Sequence, residues 1–127
     1  MTRSISRFAL SALAAGAFLA APAAMAGDAA AGKAKYDMFC TSCHGATGKG
    51  DGPIGGALNP KPRDFSVGDY KIDADKDGTA GSDADLKMVV KNGAAAYGGS
   101  PMMAPWGATL SDADLDNVVA FVRSLKQ

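Results

Sequence analysis

Residues 40–44 of the chain read Cys-Thr-Ser-Cys-His, a C-x-x-C-H motif. This motif is typical of the attachment site of a c-type haem. Two thiols three positions apart can form thioether bonds to the two vinyl groups of one porphyrin, and the histidine that follows can bind the iron. The motif therefore predicts one covalently bound haem c, with Cys40 and Cys43 as the attachment residues and His44 as an axial ligand.

Other uses of the two cysteines fit the sequence less well. A thioredoxin-like redox pair belongs to a fold of alternating strands and helices, and no convincing strand is present here. A zinc site needs four ligands, whereas the chain has one histidine and no further cysteine. A simple disulfide, which exported proteins often contain, remains open as the alternative.

The first 26 residues have the pattern of a cleavable secretory signal peptide. Arg3 and Arg7 precede an apolar run over residues 8–21, and residues 24–26 form the small-x-small pattern of a cleavage site. The run is short for a transmembrane helix, and the alternatives to a signal peptide are an uncleaved membrane anchor or a buried helix. We expect cleavage after Ala26, localisation in a bacterial periplasm and no stable membrane insertion of the mature chain.

Residues 27–127 are enough for one small domain. The full chain has 13 basic and 13 acidic residues, and loss of the leader removes two basic ones, which leaves a net charge of −2. This mildly acidic balance argues against nucleic-acid binding, which needs a basic surface. A domain of this size, in a chain with 16 glycines, has a limited core. A haem would supply its hydrophobic centre.

Hydrophobic periodicity and polar capping residues predict three helices, over residues 28–39, 82–92 and 111–125. Gly32 lies inside the first of them, where glycine costs about 1 kcal/mol relative to alanine. Close approach by another helix is one explanation, and an ordinary tolerated glycine is the other. No internal repeat or second domain is apparent.

Residues 45–62 contain six glycines and three prolines, so they are predicted to form a loop wrapped on the haem. A carbonyl near Pro60 and Pro62 is a candidate acceptor for the second ring nitrogen of His44. Arg63 is either a partner for a haem carboxylate or a solvated surface charge.

Residues 73–78, DADKDG, match the first half of an EF-hand calcium loop. The twelfth position should carry a bidentate glutamate, and it is occupied by Ala84. We therefore favour a polar turn over a calcium site.

A second iron ligand is suggested by the adjacent Met102 and Met103. A methionine thioether is a soft ligand that can complete haem iron opposite histidine. Prolines at positions 101 and 105 would hold this loop, and Trp106 could pack on the haem edge. Without the C-x-x-C-H motif, gap-filling core methionines would be the simpler interpretation.

These features together resemble a class I c-type cytochrome over nearly all of residues 28–127. The resemblance implies a small all-α fold, with three to four helices and Gly/Pro-rich loops wrapped around one haem. It also implies that Gly32 and Tyr36 of the first helix meet Val118 and Phe121 of the last.

The resemblance also selects one of the two methionines. The family's axial methionine stands three residues before an aromatic residue, in a Met-Pro-x-Trp/Phe pattern. Counting back from Trp106 selects Met103 over Met102, although Ala104 follows Met103 and the proline comes one place later. His44 and Met103 are therefore the expected iron ligands, and Met102 is the alternative to Met103.

A haem iron with two protein ligands has no open position, so the resemblance implies a monomeric electron carrier and not an enzyme. Its partners would be respiratory redox proteins, such as membrane oxidoreductases and terminal oxidases or reductases, bound in transient complexes. One alternative is an electron-transfer subunit of a larger oxidoreductase complex. Another is a haem enzyme or gas sensor with an open sixth position, which requires that Met103 does not bind iron.

Overall fold

A computed structural model describes residues 27–127, and the predicted signal peptide lies outside this range. The described residues contain no strand, which confirms the all-α class. None of their helices is both long and apolar enough to cross a membrane. The α-helices are α1 (Ala29–Phe39), α2 (Thr41–His44), α3 (Asp83–Asn92) and α4 (Asp112–Ser124), with 3₁₀ turns at Gly55–Ala57 and Ala94–Tyr97.

The three longer helices begin at the polar residues that cap them, within one residue of the predicted bounds. The Asp28 carboxylate accepts hydrogen bonds from two amides in the first turn of α1. Ser82 and Ser111 each form a capping box, with Asp85 and Asp114 respectively. Such caps satisfy backbone donors that have no partner inside the helix, and each contributes about 1 kcal/mol.

Helices α1 and α4 pack at a point where only a glycine fits. A Cβ atom added to Gly32 would lie 1.9 Å from the carbonyl oxygen of Asn117. One turn further along α1, the Tyr36 ring meets Phe121 edge-on, with a centroid distance of 4.9 Å. Tyr36 and Val118 are each 1% exposed. The predicted contact between the first and last helices is therefore confirmed, and close approach explains Gly32.

The hydrophobic core is centred on α4, which buries one complete face. Helix α3 joins this core from the side, where ion pairs connect Lys87 to Asp116 at 2.8 Å and Lys91 to Asp112 at 3.0 Å. Exposed pairs of this kind contribute little stability, so packing of apolar residues holds α3 in place. The core cluster contains Tyr36, Phe65, Leu110, Leu115, Val118, Phe121 and Val122.

Candidate haem site

The C-x-x-C-H motif forms α2, and the glycine-rich loop covers the carbonyl end of this helix. The amides of residues 45, 50, 52 and 54 donate hydrogen bonds to the four carbonyls of residues 41–44, at distances between 2.9 and 3.2 Å. A four-residue helix is not stable by itself, and its last carbonyls need partners. The loop provides those partners and fixes the backbone of the motif.

Two glycines allow the loop to approach this closely. A Cβ atom on Gly52 would lie 2.5 Å from the Thr41 carbonyl oxygen, and one on Gly55 would lie 1.8 Å from that of Cys43. Residues 45–57 thus pack on the motif's backbone, and only the following segment, residues 58–65, reaches the cavity described next. The predicted loop is thus present, and its second half is the part that reaches the cavity.

A cavity of about 520 Å³ opens beside the motif, between α1, α3, α4 and the connecting loops. Mostly apolar side chains line it, as is typical of cofactor sites. All the predicted haem-binding residues, Cys40, Cys43, His44 and Met103, lie on its wall, and so does Met102. The structure therefore brings the candidate residues to one place from two distant parts of the chain.

Both cysteines are free thiols in the structure and are not joined in a disulfide. Burial raises the pKa of the Cys40 thiol to about 11, and its proximity to Cys43 adds to the effect. Reactive dithiols of redox enzymes have lowered thiol pKa values. The environment of Cys40 is therefore unlike that of a thioredoxin-type pair.

The His44 imidazole is held by an aromatic residue that the sequence did not indicate. Its ring stacks on Phe65, with centroids 4.6 Å apart and planes inclined by 17°. Burial lowers the pKa of His44, which favours the neutral form that binds iron. The Arg63 backbone lies close enough to raise that pKa in part, yet Nδ1 has no partner within hydrogen-bonding geometry. The Arg63 backbone, directly after Pro62, is thus near the ring, but the predicted hydrogen bond from His44 to a carbonyl is not formed.

The methionine loop is attached to the end of α3. The amides of residues 106 and 107 donate to the carbonyls of Val90 and Lys91 at 2.9 and 3.0 Å, and the Met103 carbonyl accepts from the Ala94 amide at 3.2 Å. The Trp106 ring lines the cavity and packs against Phe39, with a centroid distance of 5.3 Å.

The two methionines differ in exposure. Met102 is 60% exposed, whereas Met103 is partly buried. An iron ligand must turn toward the centre of the cavity, so this difference favours Met103. Ligation by His44 and Met103 is consistent with the structure and stays a prediction at the level of single residues.

Polar groups on the cavity wall fit a haem. Tyr70 lines the cavity, and its buried hydroxyl has no hydrogen-bond partner among the described residues. Lys61 and Arg63 line the same cavity, and a haem has two carboxylates that basic and hydroxyl groups can bind. The Arg63 side chain is also exposed, so both predicted roles for it stay open.

The aspartate-rich segment next to the cavity is organised by one buried carboxylate. Carboxylate oxygens of Asp73, Asp75 and Asp85 lie within 4.8 Å of one another. Asp85 is 1% exposed and accepts four hydrogen bonds, from the amides of Ala74 and Asp75 and from the amide and hydroxyl of Ser82. Burial alone would raise its pKa, but these bonds lower it to about 2. This anchor was not predicted from the sequence, and a polar turn accounts for residues 73–78 without an ion.

Comparison with known proteins agrees with the site. A family model described as cytochrome c matches residues 29–126. Cytochrome c-554(547) of Halothiobacillus neapolitanus is 38% identical over 103 residues, which cover 80% of this chain and 100% of that protein. A chain in the reducing HAO-like protein complex of Kuenenia stuttgartiensis is similar in structure, with a TM-score of 0.61 and 31% identity. That match covers 76% of this chain and 41% of the other.

The family match extends over α1 to α4, and therefore over every element that contributes to the cavity. The two cysteines stand at the spacing that haem c attachment requires, on the wall of a cavity whose donors suit a haem. The chain belongs to the cytochrome c family, binds haem c covalently and functions in electron transfer with redox partners.

Proposed function

We propose that the protein is a monomeric electron carrier of the periplasm that diffuses between respiratory redox proteins and is not itself an enzyme. The observation that carries this proposal is that two separate elements, α2 and the loop after α3, bring His44 and Met103 to the walls of the same cavity. Two such ligands occupy both axial positions of a haem iron, so a substrate has no place to bind.

Haem c supplies a one-electron couple when it is bound. The protein's own contribution is to hold the two ligands, to keep the cofactor in an apolar cavity and to exclude water from it. The partners would be membrane oxidoreductases and terminal oxidases or reductases. They would dock through small, short-lived interfaces, because a carrier must leave one partner to reach the next.

The ligand assignment is tested by Met103→Leu, with Met102→Leu as the matched control on the neighbouring residue. We expect the wild type to have a low-spin ferric spectrum with the long-wavelength band of methionine-ligated haem. Met103→Leu should abolish this band, lower the reduction potential and allow added ligands to bind. Met102→Leu should leave spectrum and potential unchanged. An unaltered Met103→Leu spectrum would contradict the assignment, whereas a high-spin wild type that binds added ligands would support an open-site enzyme or sensor.

Localisation is tested on the full-length protein expressed in a bacterium with a haem c maturation system. Signal-peptide cleavage after Ala26 predicts a mature protein in the periplasmic fraction whose first residue is Gly27. Recovery of the intact chain in the membrane fraction would show that residues 1–26 are an uncleaved anchor and would overturn the localisation.

A second candidate function is that of a subunit in a larger oxidoreductase. The similar chain from Kuenenia stuttgartiensis belongs to an enzyme complex, and this observation favours the candidate. Native purification separates the two functions. A free carrier elutes as a monomer with its haem, whereas a subunit retains a partner protein in fixed stoichiometry. A stoichiometric partner would therefore replace the carrier proposal.

A further inference from the structure

The imidazole of His44 and the ring of Phe65 form a close, nearly parallel pair. Their centroids are 4.6 Å apart and their planes are inclined by 17°. A histidine that binds a metal usually donates its second ring N–H to a carboxylate or a carbonyl, and this bond fixes the direction of the ring plane. The buried Nδ1 atom of His44 forms no such bond among the described residues. The stacked face of Phe65 is therefore left to fix the plane of the imidazole.

The backbone of Phe65 is held by hydrogen bonds on both sides. Its amide donates to the Gly48 carbonyl at 2.7 Å, and its carbonyl accepts from the Gly68 amide at 3.1 Å. The two neighbouring residues are also joined, because the Asp64 carboxylate accepts bonds from the amide and the hydroxyl of Ser66, at 2.9 and 2.6 Å. The side chain of Phe65 therefore starts from a fixed point on the chain.

The ring of Phe65 is also enclosed by residues other than His44. Phe65 is 9% exposed and belongs to the hydrophobic core. The Tyr70 ring packs against it, with centroids 6.1 Å apart. A Cβ atom on Gly48 would lie 3.1 Å from Cδ2 of Phe65 and 2.7 Å from Cδ1 of Leu125, so the space between these residues is full. A ring that is packed on several sides cannot turn freely, and it presents a fixed face to the imidazole.

We propose that Phe65 is a positioning residue that fixes the plane of the His44 imidazole. The inference rests on His44 as the predicted iron ligand, and it does not depend on Met103 or on the localisation and partners proposed above. In low-spin ferric haem, the plane of an axial imidazole decides which iron d orbital is half-filled, and that orbital receives the electron on reduction. Phe65 thus acts on the electron-transfer step through the orientation of His44.

The first test is proton NMR of the ferric holoprotein with Phe65→Leu, which keeps an apolar side chain and removes the flat face. The order and spread of the haem methyl resonances report the distribution of the unpaired electron. Added cyanide binds the iron opposite the histidine and is cylindrically symmetric, so in the cyanide adduct this pattern depends on the imidazole plane. We expect Phe65→Leu to change the order or the spread of these resonances. A pattern equal to that of the wild type would overturn the proposal.

Two further variants separate stacking from a general change in packing. Phe39→Leu is the matched control, because Phe39 also lines the cavity but its aromatic partner is Trp106, at 5.3 Å, and not His44. This variant should keep the wild-type pattern of methyl resonances. Phe65→Tyr retains a flat ring and should keep the pattern as well. A change in either variant as large as that in Phe65→Leu would overturn the stacking role.

A third measurement needs no variant that must fold. In the reduced low-spin wild type, which is diamagnetic, the porphyrin ring current should shift the ring protons of an iron-bound His44 far upfield. We expect nuclear Overhauser effects between these protons and the ring protons of Phe65. Ordinary shifts for His44 would overturn the ligand assignment and the proposal with it. Upfield shifts without effects to Phe65 would overturn the stacking alone, so the two failures are distinguishable.

Discussion

The two sides of the cavity are built in different ways. The histidine wall, residues 40–65, consists of a short helix whose carbonyls are all bonded by loop amides and of a ligand ring stacked on Phe65. The methionine wall, residues 93–107, is attached to the end of α3 and exposes 60% of Met102 to solvent. The predicted histidine ligand is thus held by a dense backbone network, and the predicted methionine ligand by the end of a single helix.

This difference predicts the order in which the two walls unfold. Segments with few buried contacts and exposed hydrogen bonds open at lower free energy than those enclosed in a core. Covalent attachment also keeps the cofactor beside the histidine wall when other contacts break. The methionine wall should therefore detach first under denaturant, while the histidine wall and the α1–α4 contact persist.

The largest effect is expected from Gly55→Ala, which disrupts the histidine wall. The added Cβ atom would lie 1.8 Å from the Cys43 carbonyl oxygen, and backbone on both sides must move to accept it. We expect the free energy of unfolding, measured with urea on the holoprotein, to fall by about 3 kcal/mol.

The control for Gly55→Ala is the next residue. A Cβ atom on Gly56 would have nothing within 4 Å, so Gly56→Ala should change the free energy of unfolding by at most about 0.5 kcal/mol. Similar losses in both variants would mean that the loop does not pack on α2 as closely as the structure indicates.

A smaller and more local effect is expected from Gly93→Ala on the methionine wall. Gly93 has φ +81°, and its added Cβ atom would lie 3.0 Å from the Met103 carbonyl oxygen. This backbone strain should lower the free energy of unfolding by about 2 kcal/mol. Because the strain displaces the methionine loop, the long-wavelength band of methionine-ligated haem should weaken in the native state.

Gly98→Ala provides the matched comparison for Gly93→Ala. Gly98 also has a positive φ, +77°, but a Cβ atom there would meet nothing within 4 Å. Gly98→Ala should lower the free energy of unfolding by about 1 kcal/mol and leave the long-wavelength band of methionine-ligated haem intact. If both variants kept the full band, the link between Gly93 and methionine ligation would be refuted.

Local signals explain what could be predicted from the sequence. The helix starts were predicted because Asp28, Ser82 and Ser111 are capping residues, and each stands directly before the first residue of its helix. The attachment motif is contiguous, and the choice of Met103, which stays a prediction, followed from the family's pattern before Trp106. Each of these signals lies within about one turn of the feature that it marks, so no knowledge of the tertiary fold was needed.

The features that were missed depend on residues far apart in the chain. Phe65 stacks on a histidine 21 positions earlier, and Arg123 bonds to Asp83 and Gly81 across 40 and 42 positions. Nothing near Tyr70 in the sequence indicates that its hydroxyl is buried. Such contacts arise from how the loops pack on α2 and α4, which helix propensities and caps do not encode.

An effect that depends on pH is expected from Asp85→Asn, which keeps the size and shape of the side chain but replaces one accepting oxygen by a donor. Asp85 anchors the segment that connects the two walls, through charged hydrogen bonds to Ala74, Asp75 and Ser82. The walls themselves rely on neutral backbone bonds. Acid should therefore destabilise the connecting segment. Substitution of Asp85 should remove part of the loss of protein stability at low pH.

The sign follows from the pKa of Asp85, which is lowered from an ordinary value of 3.8 to about 2 in the folded protein. The stabilisation is complete above pH 3.8 and is lost as the pH falls through 2, because the unfolded chain then takes up the proton first. The free energies of unfolding of wild type and Asp85→Asn, measured from pH 2 to pH 7, should therefore converge at the acid end. A constant difference across that range would show that Asp85 titrates alike in both states and that neutral bonds suffice to hold the connecting segment.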